Sequence, residues 1–478
     1  LVEELRKAAL QDEHYKDLVR AVENGFVQLE HAGLLAQQCK AFRDELTVDK
    51  GLVLYGSRII VPQAKRKEMM RRLHASHQGL VRTRRRANAA IFWPGIGNDI
   101  RQVVNGCEKC QEKLPSLQKI ALALAAPVAA AVVSILVSSL AVLASHKSPL
   151  LAYKTMWEFG TQGGSLMEAI NSATPYYIAA IAIAVTFQAG LFNIGVEGQL
   201  RLGALFAAYI GAMFTLPPVL HVLAVFIVAM TVGGIWAAIA AYLKVKRGVN
   251  EVISTIMLNS LAVGMTSFLF AKYFAVITEG SNNMTTKELP STAWFPDLVP
   301  LLTKLGLPEI QGASVNGMLV IAIALGFIFW FVVNRTRFGF ELRASGANPI
   351  AARVSGVNSK KMTVVALVIS GAIAGLSGLP AVLGETHAYN MGFRSGIGFS
   401  AIAVALLGRN SAGGMAFSAL LFGFLEVSSR ALELIDIAPE TYVIMQGSIL
   451  LSSVIAYEVV RRFKLTLQSK ELAKAVSA

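Results

Sequence analysis

The sequence predicts an all-α protein, a polytopic membrane helix bundle of about ten transmembrane helices preceded by a small helical zinc-binding domain. Three observations lead there. The 478 residues are 54% hydrophobic and only 15% charged, too apolar for a soluble chain unless the apolar residues are evenly spread. They are not: Ile120–Lys464 is a procession of apolar blocks broken by short polar loops, and about 20 apolar residues suit a hydrocarbon layer about 30 Å thick. Leu1–Lys119 is charged instead, and it holds all three cysteines, Cys39, Cys107 and Cys110.

Leu1–Lys119 carries 21 of the 44 Lys and Arg against 14 of the 30 acids, so half of the net charge of +14 sits in this quarter. The excess is densest at Lys65-Arg66-Lys67, Arg71-Arg72 and Arg84-Arg85-Arg86. Two readings stay open, a solvated basic helix face and a nucleic-acid-facing surface. Three cysteines rule out a disulfide framework and fit a reducing compartment. Leu1–Asp49 is amphipathic and charged throughout, unlike a signal peptide, and a chain that opens on Leu reads as a fragment.

Leu1–Gly51 reads as short amphipathic helices, with Leu5, Ala9, Leu18, Val19 and Val22 apolar. Gly51–Pro62 alternates enough to predict a hairpin around Tyr55-Gly56-Ser57-Arg58. A helix is expected from Pro62, placing His74 and His77 on one face, with Cys107 and Cys110 on a following turn. Two imidazoles three residues apart followed by Cys-x-x-Cys form a four-ligand tetrahedral set of the kind zinc takes in closed structural sites. The metal would hold together a module small for a core of its own.

Leu73-His-Ala-Ser-His-Gln-Gly79, Arg82-Thr-Arg-Arg-Arg86, Phe92-Trp-Pro-Gly95, Asp99-Ile100 and Cys107-Glu-Lys-Cys-Gln111 together resemble the His-His-Cys-Cys zinc-binding domain that precedes the catalytic core of retrotransposon and retroviral integrases. The likeness covers Leu1 to about Ser116, with a linker-like stretch over 1–61 and the domain over 62–116. It implies Zn2+ on His74, His77, Cys107 and Cys110, with nucleic acid as a partner of this part. The catalytic core with three carboxylates does not follow, so integration chemistry is not expected.

Ten apolar runs come next: Ile120–Ala144, Ala173–Ala189, Leu200–Leu216, Val219–Leu243, Val252–Val276, Val315–Val333, Met362–Leu383, Ser400–Leu407, Gly413–Leu432 and Tyr442–Val460. With a cytoplasmic start, the chain returns to the cytoplasm at Lys244-Val-Lys-Arg247, Arg335–Lys361 and Arg461-Arg462-Phe-Lys464. All three are basic, as the positive-inside rule requires, so both termini are expected in the cytoplasm. No Gly-x-x-x-x-Gly-Lys-Ser/Thr loop, no His-Glu-x-x-His and no paired carboxylates within the spans stand out. Nucleotide hydrolysis by that loop, metalloprotease chemistry and a proton relay therefore lack their residues.

Gln188-Ala-Gly-Leu-Phe-Asn-Ile-Gly-Val-Glu-Gly-Gln199 interrupts the second run with three glycines. Asn193 and Glu197 share a face if it is helical. Glu197 either lines an aqueous path or pairs with Arg201 at the rim. This stretch, with Gly339-x-x-Leu-Arg343, Gly346-x-Asn348-x-x-Ala351-Ala352 and Gly398-Phe-x-x-Ile-Ala-Val-Ala-Leu-Leu-Gly408, resembles the permease subunits of bacterial ATP-binding-cassette importers, most of all the nucleoside and simple-sugar members. The likeness runs over about 119–465, with 466–478 as a cytoplasmic tail.

The resemblance implies a plasma (inner) membrane permease that is not itself an enzyme. It implies a second permease, homo- or heterodimeric, separate ATPase subunits that supply ATP hydrolysis, and an extracytoplasmic substrate-binding protein. It also implies that Glu341–Gly356 docks on the ATPase, with Arg343, Gly346, Asn348, Ala351 and Ala352 as the coupling residues. Asn348-Pro349 suits a helix start, and Ala351 and Ala352 suit a slim face for a groove. Gln188, Asn193, Glu197 and Asn259 are the polar groups expected along a central path. The alternative is a mobile-element zinc module to which the membrane part is incidental. The junction within Pro115–Lys119 is then either a true fusion or a chimaeric gene model.

Overall fold

A computed structural model describes residues 2–26, 33–56, 58–74, 79–107, 116–277, 283–304, 313–390 and 392–477. They divide into two compact units, Leu1–Leu124 with Arg462–Ala478, and Ala125–Arg461.

In the first unit, helices α1 (Val2–Gln11), α2 (Glu13–Glu23) and α3 (Leu34–Cys39) precede strands β1 (Leu46–Asp49), β2 (Leu52–Tyr55) and β3 (Arg58–Ile60). Then come α4 (Gln63–His74), α5 (Gly79–Ala90), β4 (Ile91–Phe92) and α6 (Ile96–Asn105). The expected hairpin is present, with Leu54 opposite Ile59 and Tyr55 opposite Arg58. The expectation of a purely helical module is corrected. The strands form one sheet in the order β1-β2-β3-β4, antiparallel twice and then parallel. Leu46-Thr-Val-Asp49 alternates as a half-buried strand does and pairs back on β2, and the β3–β4 pairing joins residues 32 apart, Ile59 with Ile91.

Tyr15 ties helix to sheet: fully buried, its hydroxyl donates to the Ile60 carbonyl at 2.8 Å and accepts from the Val53 amide at 2.9 Å. Trp93 is fully buried too, and its ring N–H donates to Asp99 at 2.7 Å. That contact gives Phe92-Trp-Pro-Gly95 and Asp99 a shared structural purpose.

The following helices are α7 (Ser116–Ala144), α8 (Pro149–Gly160), α9 (Gly163–Gln188), α10 (Val196–Gly211), α11 (Pro218–Arg247), α12 (Glu251–Leu269), α13 (Val299–Lys304), α14 (Met318–Arg335), α15 (Arg337–Ala347), α16 (Pro349–Val354), α17 (Ser359–Leu376), α18 (Leu379–Gly384), α19 (Ile397–Leu407), α20 (Ala412–Ser429) and α21 (Thr441–Ser477). A small antiparallel pair, β5 (Ala275–Ile277) and β6 (Met284–Thr286), lies after α12.

The count of ten spans is corrected to six among the described residues: Gly163–Gln188, Pro218–Arg247, Glu251–Phe274, Met318–Arg335, Ser359–Gly384 and Ala412–Ile435 are long and apolar enough to cross. A seventh arises if the pair bent by 110°, Val128–Ala144 with Pro149–Gly160, counts as one span. The runs at Leu200–Leu216 and Ser400–Leu407 fold as α10 and α19, helices of 16 and 11 residues. At 1.5 Å per residue, about 24 and 17 Å, these fall short of a hydrocarbon layer.

Two glycine-rich seams set the helix directions. On α11 and α17, Gly233 and Ala229 meet Gly371 and Gly375, close enough that a Cβ on any of these glycines would strike the opposing backbone. Such small-residue contacts let apolar helices approach closely. Ala229 lies against Gly375 and Gly233 against Gly371, so the helices run antiparallel. On α9 and α20, Glu168 pairs with Arg430, Gly423 packs on Ala169 and Ala173, and Tyr176 reaches Phe422 and Glu426, again antiparallel. α9 and α11 therefore run toward the end that carries 335–361, while α17 and α20 run away from it. The short helices α10 and α19 follow α9 and α17 in matching positions, and their N-termini meet: a Cβ on Gly398 would lie 2.5 Å from the Glu197 amide nitrogen.

Candidate functional site

Three groups of side chains follow one another along the membrane unit. The first is the charged loop between α14 and α17. Thr336 caps α15, its hydroxyl accepting from the Gly339 amide at 3.1 Å. Asn348 then serves two helices. In an extended conformation, φ −160°, it closes α15 with its own amide and opens α16 with its side-chain oxygen, which accepts from Ile350 and Ala351 at 3.0 and 3.1 Å. Pro349 takes the first position of α16, where no amide is needed. Gly356, at φ +80°, turns the chain back toward α17.

Ala352 is buried with Val357 and Met362, while Ala351 faces outward. The expected slim face made by both alanines is thus corrected: adjacent helical residues point about 100° apart. Outward beside Ala351 stand Ile350 and Val354, 77% and 88% exposed. Arg343 is half-buried, and one guanidinium nitrogen is buried without a hydrogen-bond partner among the described residues. Gly346 faces inward. A Cβ there would lie 2.7 Å from the Ala189 carbonyl carbon and the Gly190 nitrogen, so the loop rests backbone to backbone on the end of α9.

The second group lies in and after that end. Gly190, at φ +68°, starts the turn between α9 and α10. Asn193 and Gln199 pair their amides, and the Asn193 nitrogen also donates to the Ser370 hydroxyl at 2.9 Å. Asn259 accepts from the Gly198 amide at 2.9 Å and donates to the Ile194 carbonyl at 2.7 Å. Glu197 is buried. It accepts from the Gly396 and Gly398 amides at 3.0 and 2.8 Å and from Arg201 at 2.9 Å. The Arg201 pairing forms, and the carboxylate also caps α19 from two hundred residues away, a placement favoured by the helix dipole. Asn193, Glu197 and Asn259 thus spend polar groups on internal bonds, while Gln188 is half-buried at the end of α9.

The third group, at the end away from the loop, is one that sequence reasoning missed. Arg394 pairs with Glu426 at 2.5 Å and donates to Ser172 at 2.8 Å. Tyr176 donates to the other Glu426 oxygen at 2.9 Å, and Arg430 pairs with Glu168. Beneath lies a cavity of about 10 Å³ bounded by Pro175, Ser377, Pro380, Glu385, Phe393 and Arg394, room for one water. Glu385 is exposed at the rim, and partial desolvation by its neighbours pushes its carboxyl above the usual range; Arg394 opposes this, and Glu168 and Glu426 reinforce it. One signal for the cluster was available: Glu426 is the only charged residue in the apolar helix Ala412–Ser429.

Of the zinc set, His74 is buried at the end of α4 and Cys107 is half-buried after α6. His77 and Cys110 lie outside the described residues, and no group of three or more His, Cys, Asp or Glu that could hold a metal occurs among the described ones.

A bundle of membrane-length helices interrupted by two short helices defines a multi-pass membrane protein, and its relatives make it a transport permease and not an enzyme. The chain belongs to the family described as the permease component of the branched-chain amino acid transport system, which it matches over residues 165–454. It is 34% identical to a guanosine ABC transporter permease, NupP of Bacillus subtilis, over 307 residues, 63% of this chain and 84% of that protein. It is 32% identical to a glucose ABC transporter permease, TsgB13 of Haloferax volcanii, over 349 residues, 72% of this chain and 90% of that protein. A nucleoside ABC transporter permease, NupB of Lactococcus lactis, is 29% identical over 68% of this chain and 88% of its own length. Residues 61–116 separately match the integrase zinc binding domain.

Proposed function

We propose that residues 119–465 import nucleosides as the permease subunit of an ATP-driven importer, docking through 335–361 on a separate ATPase. The observation that carries the docking role is the build of that loop: Asn348 fixes α16, Ala352 anchors it from below, and Ile350, Ala351 and Val354 stand outward as an apolar face in a basic surround. Exposed apolar groups on a basic loop favour a protein partner over water. The docking end is then cytoplasmic, with both termini on that side, and the Glu426 cluster faces outward, where an extracytoplasmic binding protein delivers substrate. A second permease copy or a different permease completes the path.

In this reading Arg343, Gly346, Asn348, Ala351 and Ala352 form the coupling segment. Of the polar groups named for the path, Gln188 lines it, while Asn193, Glu197 and Asn259 shape it. Nucleosides are favoured over simple sugars because relatives of both kinds match and two of the three described above are named for guanosine or nucleosides. Residues 1–61 and 62–116 form a separate module in which His74, His77, Cys107 and Cys110 hold a structural zinc, and 466–478 is a tail. The docking role is tested by co-purification of the chain with its partner ATPase after Ile350→Asp and Val354→Asp substitution. Loss of the ATPase with the membrane unit still folded supports it; retention in full removes it.

A further inference from the structure

Glu197 occupies an unusual joint. Its carboxylate accepts from the Gly396 amide, at the end of the loop that also carries Arg394, and from the Gly398 amide in the first turn of α19. The same residue begins α10, directly after the turn whose Gly190 lies 3.0 Å, through a Cβ, from the Gly346 carbonyl oxygen. Asn193 fixes that turn to Ser370 on α17, and Asn259 fixes it to α12. Gly398 has no room for a Cβ against the Glu197 backbone, so the two short helices touch with nothing between them. A continuous chain of backbone contacts and buried hydrogen bonds thus leads from Gly346 through 189–197 to Gly396, and on to Arg394 with its partners Glu426 and Ser172.

We infer that Glu197 is a positioning residue that joins the turn 189–195 to Gly396 and Gly398, so that displacement of the docking loop reaches Arg394 and the ion-pair cluster as one moving body. The inference rests on the docking role proposed above. A carboxylate suits the task because it accepts from two amides and a guanidinium at once, and charge-assisted bonds of this kind are stronger than neutral ones. Glutamine has one acceptor oxygen and adds two donors where the structure already supplies donors. Arg201 neutralises the carboxylate from the side, and also bonds Tyr389, but it does not bridge the two short helices.

The test uses the full chain with its partner ATPase in proteoliposomes and a reporter at the cluster rim, Glu385→Cys, whose labelling by a membrane-impermeant maleimide is followed by peptide mapping, separately from the native cysteines. Labelling is compared without nucleotide and with ATP plus vanadate. The expected result is a change of labelling rate with nucleotide in the reporter chain, lost on adding Glu197→Gln and kept on adding Arg201→Gln. An unchanged response in the Glu197→Gln chain overturns the inference, and so does equal loss in both variants, which would make the charge pair and not the amide clamp responsible. No response in the reporter chain itself removes the docking role, a distinct outcome that takes this inference with it. Should Glu197→Gln fail to insert, amide hydrogen exchange of the unsubstituted chain decides: the peptide containing Gly396 and Gly398 stays protected in both nucleotide states if the joint moves as one body, and loss of protection in either state overturns the inference.

Discussion

Replacing Gly346 by alanine drives a methyl carbon against the Gln188 carbonyl oxygen, its nearest neighbour, and places it 2.7 Å from the Ala189 carbonyl carbon and the Gly190 nitrogen, where contacts relax only at about 3.5 Å or more. The loop and the end of α9 must separate by at least about 0.8 Å, and both sides are backbone, so no flexible side chain absorbs the strain. Overpacking of this kind costs about 1–3 kcal/mol, and the rigid neighbours argue for the upper part of that range. Ala351→Leu is the control: Ala351 faces outward, and surface changes of this sort stay within about 0.5 kcal/mol. Thermal melting of both variants in detergent, followed by ATP-driven uptake, separates the two roles. Gly346→Ala is expected to lower the melting midpoint and uptake together, whereas Ala351→Leu lowers uptake and leaves melting unchanged. Equal melting curves for the two variants would refute the claim that Gly346 joins the loop to α9.

Arg394→Met leaves Glu426 and Ser172 without their cation; the arginine is part-exposed and Tyr176 still donates to Glu426, so the loss is that of hydrogen bonds to a charged group, about 1.5–3 kcal/mol, and a melting midpoint equal to that of the unsubstituted chain would contradict the cluster. Burial pushes the Tyr15 phenol up to about 12 and the Cys39 thiol up to about 11. Both stay neutral in the folded first unit while the unfolded chain ionises near 10 and 9, so their contribution is complete below about pH 9 and is lost as pH rises through 11 to 12. Alkaline titration followed by fluorescence is expected to show unfolding in that window, and Tyr15→Phe should weaken the unit at neutral pH by about 1–3 kcal/mol through its two lost hydrogen bonds. Metal analysis of the purified chain is expected to find one zinc, lost in Cys107→Ser; an equal zinc content in that variant would rule out the four-residue set.

The membrane class, the helix start at Asn348-Pro349 and the hairpin were legible because each rests on local pattern: apolar run length, an Asn-Pro cap followed by alanines, alternation around Tyr55-Gly56. Of the ten runs, six became spans, Ile120–Ala144 became part of a bent pair, and those at 200–216, 400–407 and 442–460 fell short of span length as apolar helices among the described residues, because hydropathy records where a chain is apolar and not where its backbone turns. Gly195 and Gly396 start α10 and α19 after non-helical stretches, so each of these helices is too short to cross. The strand β1 was read as helix because four residues cannot announce a partner six residues on. The cluster at Glu426 escaped for a related reason: Ser172, Tyr176, Arg394, Glu426 and Arg430 are spread over about 260 positions, and only the antiparallel packing of α9 on α20, with Arg394 reaching them from the loop before α19, gathers them. Glu197 was legible as important, but its partners Gly396 and Gly398 carry no side-chain signal at all.

Uptake of radiolabelled guanosine by proteoliposomes that contain this chain, its partner ATPase and the binding protein tests the account most directly, with ATP supplied only on the docking side and compared with an imposed proton or sodium gradient. Accumulation that requires ATP and the ATPase, and is abolished by Ile350→Asp with Val354→Asp, is the predicted result. Accumulation driven by either gradient in the absence of ATP and ATPase would contradict it.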